Sequence, residues 1–351
     1  MRNLLTLVVC LAVSCLTFTS CQNIQSQDTS NAKPEYALVI HGGAGTILKE
    51  NMTPEREAAY TQALQDALDA GEAVLATGGS SKDAVIAAIQ LMEENPLFNA
   101  GVGAVFTHEE TVELDASFMD GASLNAGAIA GVKTVKSPIA AARLVMDSSV
   151  HVMLSGKGAE TFAEGMGLEL VENNYFHTDR RLNQIKKIKE SQAYTTPGPY
   201  KGELSFEGIE DYKFGTVGAA ALDKEGNLAA GTSTGGMSNK RFGRIGDAPI
   251  IGAGTYANNA TCAVSCTGHG EYFIRNVVAY DVSARMKYQG LSLAEAGDGV
   301  VMGTLVEEGG SGGLISVDKD GNVHMPFNTS GMYRGYVKST GESSIGIYKD
   351  E

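Results

Sequence analysis

From Pro54 to Ala76, alanine and leucine recur at three- and four-residue spacing among Glu, Gln and Asp, until Gly78-Gly79 stops the run. That periodicity predicts a helix. Ser80 with Asp83 has capping-box spacing and opens a second helix, Lys82 to Glu94. Ser137-Pro138 sets a cap and a first-turn proline before a third, Ile139 to Met146. Two more helices are predicted at Glu271 to Tyr288 and Leu293 to Val306. Short apolar runs bounded by glycine predict strands at Tyr36–Ile40, Thr111–Met119, Thr216–Leu222, Leu228–Ser233 and Ala263–Cys266. Leu314–Val317 and Val323–Phe327 read as a closing hairpin turned at Asp318-Lys319-Asp320-Gly321. No internal repeat is visible. Blocks of helix and strand with alanine-rich faces imply layers of sheet and helix. The pattern leaves a parallel sheet and a sandwich of sheets equally open.

One long stretch breaks the pattern. Gly167 to Lys213 is polar, with Arg180-Arg181, Lys186-Lys187-Ile188-Lys189 and Pro197-Gly198-Pro199, and it reads as a mobile connector. It ends abruptly at Phe214-Gly215-Thr216, where a small apolar run begins. Composition narrows the function. The chain has 351 residues, 43% hydrophobic and 19% charged, enough for one large core or two small ones. Its net charge of −14 and the absence of tryptophan argue against nucleic acid, which needs a cationic face and stacking surfaces.

The first 20 residues carry one charge, Arg2, before an apolar run from Leu4 to Val13, too short to span a membrane. This reads as a secretory signal. Its end, Thr17-Phe18-Thr19-Ser20-Cys21, resembles a bacterial lipoprotein cleavage box with Cys21 as the lipidated residue. Phe18 departs from the usual leucine, which keeps ordinary signal cleavage open. Residues 21–35 then form a polar tether to a single domain over residues 36–351. The expected location is outside the cytoplasm, as a periplasmic or outer-membrane lipoprotein of a Gram-negative bacterium, with the membrane touched only through the lipid. The remaining mature cysteines, Cys262 and Cys266, would lie ~13 Å apart along one strand face. That exceeds disulfide reach, so both are expected in core packing.

The chemistry centres on Gly215-Thr216. Glycine suits a strained peptide bond, and a threonine after it can attack the Gly215 carbonyl and cut the chain. Cutting would free an α-amine that titrates near ~8 and can take the proton of its own hydroxyl. Around it stand Ile40-His41-Gly42-Gly43-Ala44-Gly45, Asn95-Pro96-Leu97-Phe98-Asn99-Ala100-Gly101-Val102-Gly103 and Gly231-Thr232-Ser233-Thr234-Gly235-Gly236. Gly243-Arg244-Ile245-Gly246-Asp247 and Ser265-Cys266-Thr267-Gly268-His269-Gly270-Glu271 follow.

In this order, the motifs resemble the plant-type L-asparaginase and isoaspartyl peptidase family of N-terminal-nucleophile hydrolases. The resemblance runs from about Ala37 to near the C-terminus and is weakest between Glu172 and Lys213. It implies an α+β fold, a four-layer αββα sandwich, cleaved after Gly215 into two chains that pair as a homodimer of α/β units. It implies Thr216 as nucleophile, Thr234 as its hydroxyl partner, and Thr267 with Gly268 as oxyanion donors. Arg244 would take the carboxylate of an amino-acid head and Asp247 its ammonium, with Asn99 and Gly270 beside the substrate. No cofactor is implied. A structural sodium ion is, held by the backbone carbonyls of Met92, Glu93, Asn95, Phe98, Ala100 and Val102. No role as a base transfers to His41. His269 reads as an exposed loop residue.

The implied activity is hydrolysis of L-asparagine and of β-aspartyl dipeptides. The alternative is the sister activity on GlcNAc-asparagine, against which HGGAG and NAGVG side with the asparaginase branch. A lipoprotein that keeps the fold without catalysis is disfavoured by the threonine trio at 216, 234 and 267. A nucleotide-binding protein is disfavoured because no Lys-Ser/Thr follows the glycines.

Overall fold

A computed structural model describes residues 33–190 and 215–349. The signal segment, Cys21, most of the tether and residues 191–214 of the connector lie outside them. The chain begins with β1 (Ala37–Gly45), then α1 (Pro54–Ala76), α2 (Ser81–Glu93), β2 (Leu114–Asp120), β3 (Ala126–Val132), α3 (Pro138–Ser148), β4 (Met153–Ser155), α4 (Gly156–Gly165) and α5 (Asp179–Glu190). After the undescribed stretch come β5 (Val217–Leu222), β6 (Leu228–Thr234), β7 (Thr255–Ala257), β8 (Cys262–Gly268), α6 (Gly270–Asn276), α7 (Val278–Ala284) and α8 (Leu293–Asp298). A last helical turn, α9 (Leu305–Glu307), precedes β9 (Gly312–Asp318), β10 (Val323–His324), β11 (Gly331–Lys338) and β12 (Ser343–Tyr348).

Two sheets result, an eight-stranded one in the order β12-β11-β1-β5-β6-β2-β3-β4 and a four-stranded one, β10-β9-β8-β7. Alternation along the strands assigns each side chain to a layer. Leu38, Ile40, Ala219 and Ala221 face the helices α1 to α3, whose Leu64, Leu68, Val85, Ile89 and Val145 complete that core. The opposite residues, Val39 and Ala220, meet Ala263, Ile315 and Val317 of the small sheet. The outer face of that sheet, through Cys262, Val264, Cys266 and Leu314, packs on Phe273, Val278, Val282 and Leu305. Helix, sheet, sheet and helix therefore stack in four layers, an α+β sandwich. Sheets this alanine- and glycine-rich approach each other closely, and both cysteines are buried packing residues, as expected.

The first helix occupies the predicted span, with Thr53 accepting from the Arg56 N–H and Pro54 at the first turn. Ser80 caps the second, accepting from the Asp83 N–H. Four expectations need correction. Ser137 makes no cap, because its hydroxyl donates to Glu93 Oε2 instead. The helix expected over Glu271–Tyr288 breaks at Val277, which sits left-handed at φ 49°. The one expected over Leu293–Val306 loosens into a π-helical stretch over Gly299–Thr304. The supposed closing hairpin is followed by β11 and β12, which complete the large sheet. Part of the polar connector is also ordered. Helix α5 buries Arg181, Gln184, Ile185 and Ile188.

Candidate active site

The HGGAG segment is the inner half of β1, and a register shift between His41 and Gly43 bulges it toward the cut site. Gly43 has φ +112°, and a Cβ built on it would lie 2.5 Å from the Gly215 Cα. A Cβ on Gly215 would lie 2.7 Å from that of Asn99. Only two glycines allow these backbones to pass so closely. The Gly215 carbonyl accepts from the Asn99 N–H at 3.0 Å. Asn99 is itself fixed on three sides: its Nδ2 donates to the Gly236 carbonyl, its Oδ1 accepts from Val105 N–H, and its carbonyl accepts from Gly235 N–H. The Gly215 carbonyl thus rests on a backbone donor braced against the turn that follows β6.

Thr216 lies just ahead of β5, one residue later than predicted for the strand start. Its hydroxyl donates to Thr234 Oγ1 at 3.0 Å, and Thr234 Oγ1 also accepts from Gly236 N–H at 3.0 Å. Gly236 thus fixes the Thr234 oxygen, and that oxygen sets the direction of the Thr216 O–H. Thr267, on β8, is fully buried and accepts from the Ala44 N–H at 3.3 Å. That leaves its O–H free in direction to donate to a developing negative oxygen. Gly268 follows it at the end of β8. Residues adjoining in β1 thus reach both groups: Gly43 touches Gly215, and Ala44 holds Thr267.

Charges gather on the other side. Arg244 does not form an ion pair with Asp247, three residues on. It donates through Nε and Nη2 to both oxygens of Glu271, at 2.9 and 3.0 Å. Burial alone would raise the Glu271 carboxyl, but this grip outweighs it and holds the pKa below its ordinary value. Asp247 is buried, and Oδ2 has no hydrogen-bond partner among the described residues. Burial raises its pKa to about 7, against the pull of Arg244. Gly270 fills the interval between the two, since a Cβ there would lie 2.8 Å from both Arg244 Nη2 and Asp247 Oδ1. An unsatisfied carboxylate beside a fixed guanidinium, with backbone alone between them, suits a zwitterionic head. His269 is about one-third exposed and within 3.3 Å of Glu271.

The carbonyl-rich loop after α2 behaves differently from a simple carbonyl cage. Glu93 O accepts from Val102 N–H, Asn95 O accepts from Phe98 N–H, and Met92 O accepts from Asn95 N–H. Arg180 of α5 donates to the Pro96 and Leu97 carbonyls, and Arg181 to that of Gly103. Two arginines therefore supply positive charge along this loop. Among the described residues, no three His, Cys, Asp or Glu side chains cluster to hold a metal.

Sequence reasoning missed four participants. Glu271 was quoted in its motif without a role, and nothing in its spacing announced Arg244. Arg180 and Arg181 were assigned to a mobile segment. His41 is fully buried, with Nδ1 2.9 Å from the Thr216 carbonyl oxygen and Nε2 2.9 Å from Ser265 Oγ. The signal for it was present in Gly218, whose Cβ would overlap the His41–Ser265 pair.

Comparison with known proteins fits this geometry. The family described as Asparaginase matches residues 34–347. The isoaspartyl peptidase of Escherichia coli is 51% identical over 317 residues, covering 90% of this chain and 96% of that protein. The plant-type L-asparaginase of Pyrococcus horikoshii is 42% identical over 310 residues, covering 86% and 96%. The isoaspartyl peptidase/L-asparaginase of Xenopus laevis is 38% identical over 315 residues, covering 90% and 96%. With a threonine whose hydroxyl is paired to Thr234 behind a pinned glycine carbonyl, and matches over nearly its whole described length, the chain belongs to the plant-type asparaginase and isoaspartyl peptidase family of N-terminal-nucleophile hydrolases.

Proposed function

We propose that this protein is a self-processing threonine hydrolase acting on L-asparagine and on β-aspartyl dipeptides. The observation that carries the reading is the Gly215-Thr216 junction: its carbonyl bonded by Asn99 N–H, its hydroxyl bonded to Thr234. In processing, Thr216 Oγ attacks the Gly215 carbonyl carbon, and Asn99 N–H steadies the oxygen as it turns negative. The C–N bond breaks, the nitrogen takes the hydroxyl proton, and an ester remains. Water hydrolyses that ester and leaves Thr216 with a free α-amine.

The same hydroxyl then serves in turnover. The α-amine takes its proton, and Oγ attacks the side-chain carbonyl of the substrate. Thr267 O–H and Gly268 N–H donate to the tetrahedral oxyanion, the amine leaves with the proton, and water releases aspartate. Arg244 and Asp247 hold the α-carboxylate and α-ammonium, which asparagine and β-aspartyl dipeptides share. Terminal sequencing and intact mass test this: the mature protein should begin a second chain at Thr216. Thr216→Ala should remain uncut and inactive toward asparagine, β-aspartyl dipeptides and GlcNAc-asparagine alike. An active, uncut wild-type chain would defeat the reading.

Three further expectations stand as proposals supported by sequence. Export with lipid on Cys21 predicts membrane fractionation of the wild type and soluble release of Cys21→Ser. Pairing of two α/β units predicts a dimer by sedimentation. Sodium at the loop formed by residues 92–102 would be held by main-chain oxygens and would stiffen the segment carrying Asn99. A higher Tm in sodium chloride than in choline chloride would support it.

A further inference from the structure

We propose that His41 is a positioning residue: its neutral imidazole, aligned by Ser265, holds the main chain of Thr216 in attacking geometry after the chain is cut. The proposal rests on the reading of Thr216 as nucleophile. Before cutting, Thr216 is anchored on both sides, by the peptide bond to Gly215 and by β5. Cutting removes the first anchor and takes the Gly215 carbonyl away from Asn99. The His41 bond to the Thr216 carbonyl lies on the side that remains.

A carbonyl only accepts, so Nδ1 must carry the proton. Nε2 is then the acceptor, and Ser265 must donate to it. Burial favours this neutral state, lowering the imidazole pKa to about 3. The Thr216 α-amine therefore gains a neighbour that does not compete with it for a positive charge. Space for the pair is reserved by Gly218, where a Cβ would lie 2.0 Å from Ser265 Oγ and 2.4 Å from Nε2.

Ser265 is not isolated. Its hydroxyl meets Thr232, Thr232 meets Thr255, Thr255 meets Ser117, and Ser117 reaches the Ala248 carbonyl. Both ends of this chain, Nε2 and the carbonyl, can only accept. Thr232 also reaches the Gly254 carbonyl, so four hydroxyl protons serve six links and two links go without. Removing Ser117 leaves the Ser265 proton available for Nε2, the remaining shortage falling on the links of Thr232. Removing Ser265 instead strips Nε2 of its donor and frees the ring to take the other tautomer. The two ends of one network therefore differ in consequence.

Histidine-selective ¹⁵N NMR on the folded protein and steady-state kinetics with asparagine test the assignment. His41 should show a protonated Nδ1 and a bare Nε2 at about pH 7, where an unperturbed histidine titrates. His41→Leu should lower kcat more than ~10-fold at unchanged KM, because the substrate clamp is separate. His41→Asn, whose amide can still donate to the Thr216 carbonyl, should restore most of it. Ser265→Ala should lower kcat and mix the tautomers, while Ser117→Ala stays within about twofold of the wild type. A protonated Nε2, an imidazolium at that pH, or His41→Asn as impaired as His41→Leu would overturn the proposal. The spectrum is independent of processing, so a variant that stays uncut leaves the test standing. Wild-type turnover by His41→Leu, beside an inactive Thr216→Ala, would sink this proposal alone. An active Thr216→Ala would sink the parent reading.

Discussion

Around Thr216 the side chains in contact are hydroxyls, an amide and a neutral imidazole, fixed by strand backbone. On the far side, Arg244, Glu271 and Asp247 supply charge from a loop and a seven-residue helix. Both regions hold buried groups, His41, Thr234 and Thr267 in one and Asp247 in the other, yet burial acts on them in opposite ways. Neutral dipoles lose little in a dry setting and hold a fixed orientation, which suits transition-state stabilisation. Charges there need a partner, and Asp247, lacking one at Oδ2, has its pKa raised to about 7. The comparison separates a region that should govern kcat from one that should govern binding.

The strongest way to break that division is Thr234→Val. It removes the acceptor for the Thr216 hydroxyl and should lower kcat by ~10²–10³ while KM holds, by analogy with losing one preorganised donor. A rise in KM instead would mean the neutral side also binds substrate. Arg244→Lys should do the reverse. Losing the two-bond grip on Glu271 and the planar face for a carboxylate should raise KM by ~10–100-fold with kcat nearly intact, about 1.4–3 kcal/mol.

A titration sharpens the charged half. Below about 7, Asp247 carries its proton and cannot hold an ammonium, so inhibition by L-aspartate should tighten as pH rises through about 7. The α-ammonium of the ligand stays charged over this range. Asp247→Asn should bind weakly with a flat profile, and a profile like the wild type would reassign the titrating group.

Glu93 is the exception within the neutral half, a carboxyl accepting from Ser233, Ser137 and the Ile139 N–H. Burial raises its pKa to about 7 from an ordinary 4.5. The folded state therefore holds the proton more tightly than the unfolded chain. Its contribution is complete below pH ~4.5 and is lost as pH climbs toward and past 7, by ~3 kcal/mol at most. Urea unfolding between about pH 5 and 8 should show that decline, and Glu93→Gln should flatten it with the smallest effect on turnover.

How much of this was readable follows the same division. Local signals sufficed for α1 and α2, where periodicity and caps agree, and for the Gly-Thr junction, where glycine and threonine each have a chemical reason. The strands β11 and β12 were missed because Gly331, Gly335 and Gly346 interrupt alternation, where a side chain would meet Ile47, Leu68 and Arg334 respectively. The arginines of α5 looked like solvent-exposed charge because their partners are main-chain carbonyls some 80 residues away in sequence. The partner of Arg244 was hidden for a related reason, since the bidentate acceptor Glu271 lies on a helix that follows another strand.

The order of strands in the large sheet has a consequence for a chain cut after Gly215. Read across the sheet, β12 and β11 derive from the C-terminal product, β1 from the N-terminal one, β5 and β6 from the C-terminal, and β2 to β4 from the N-terminal. The two products are woven through each other, with three seams of main-chain hydrogen bonds between them. Neither piece holds the large sheet whole, although the small sheet belongs entirely to the C-terminal one. Separation would require pulling β1 from between two foreign strands, so dissociation and unfolding become one event. The proposed nick after Gly215 would therefore leave a heterodimer whose subunits cannot exchange without losing their fold.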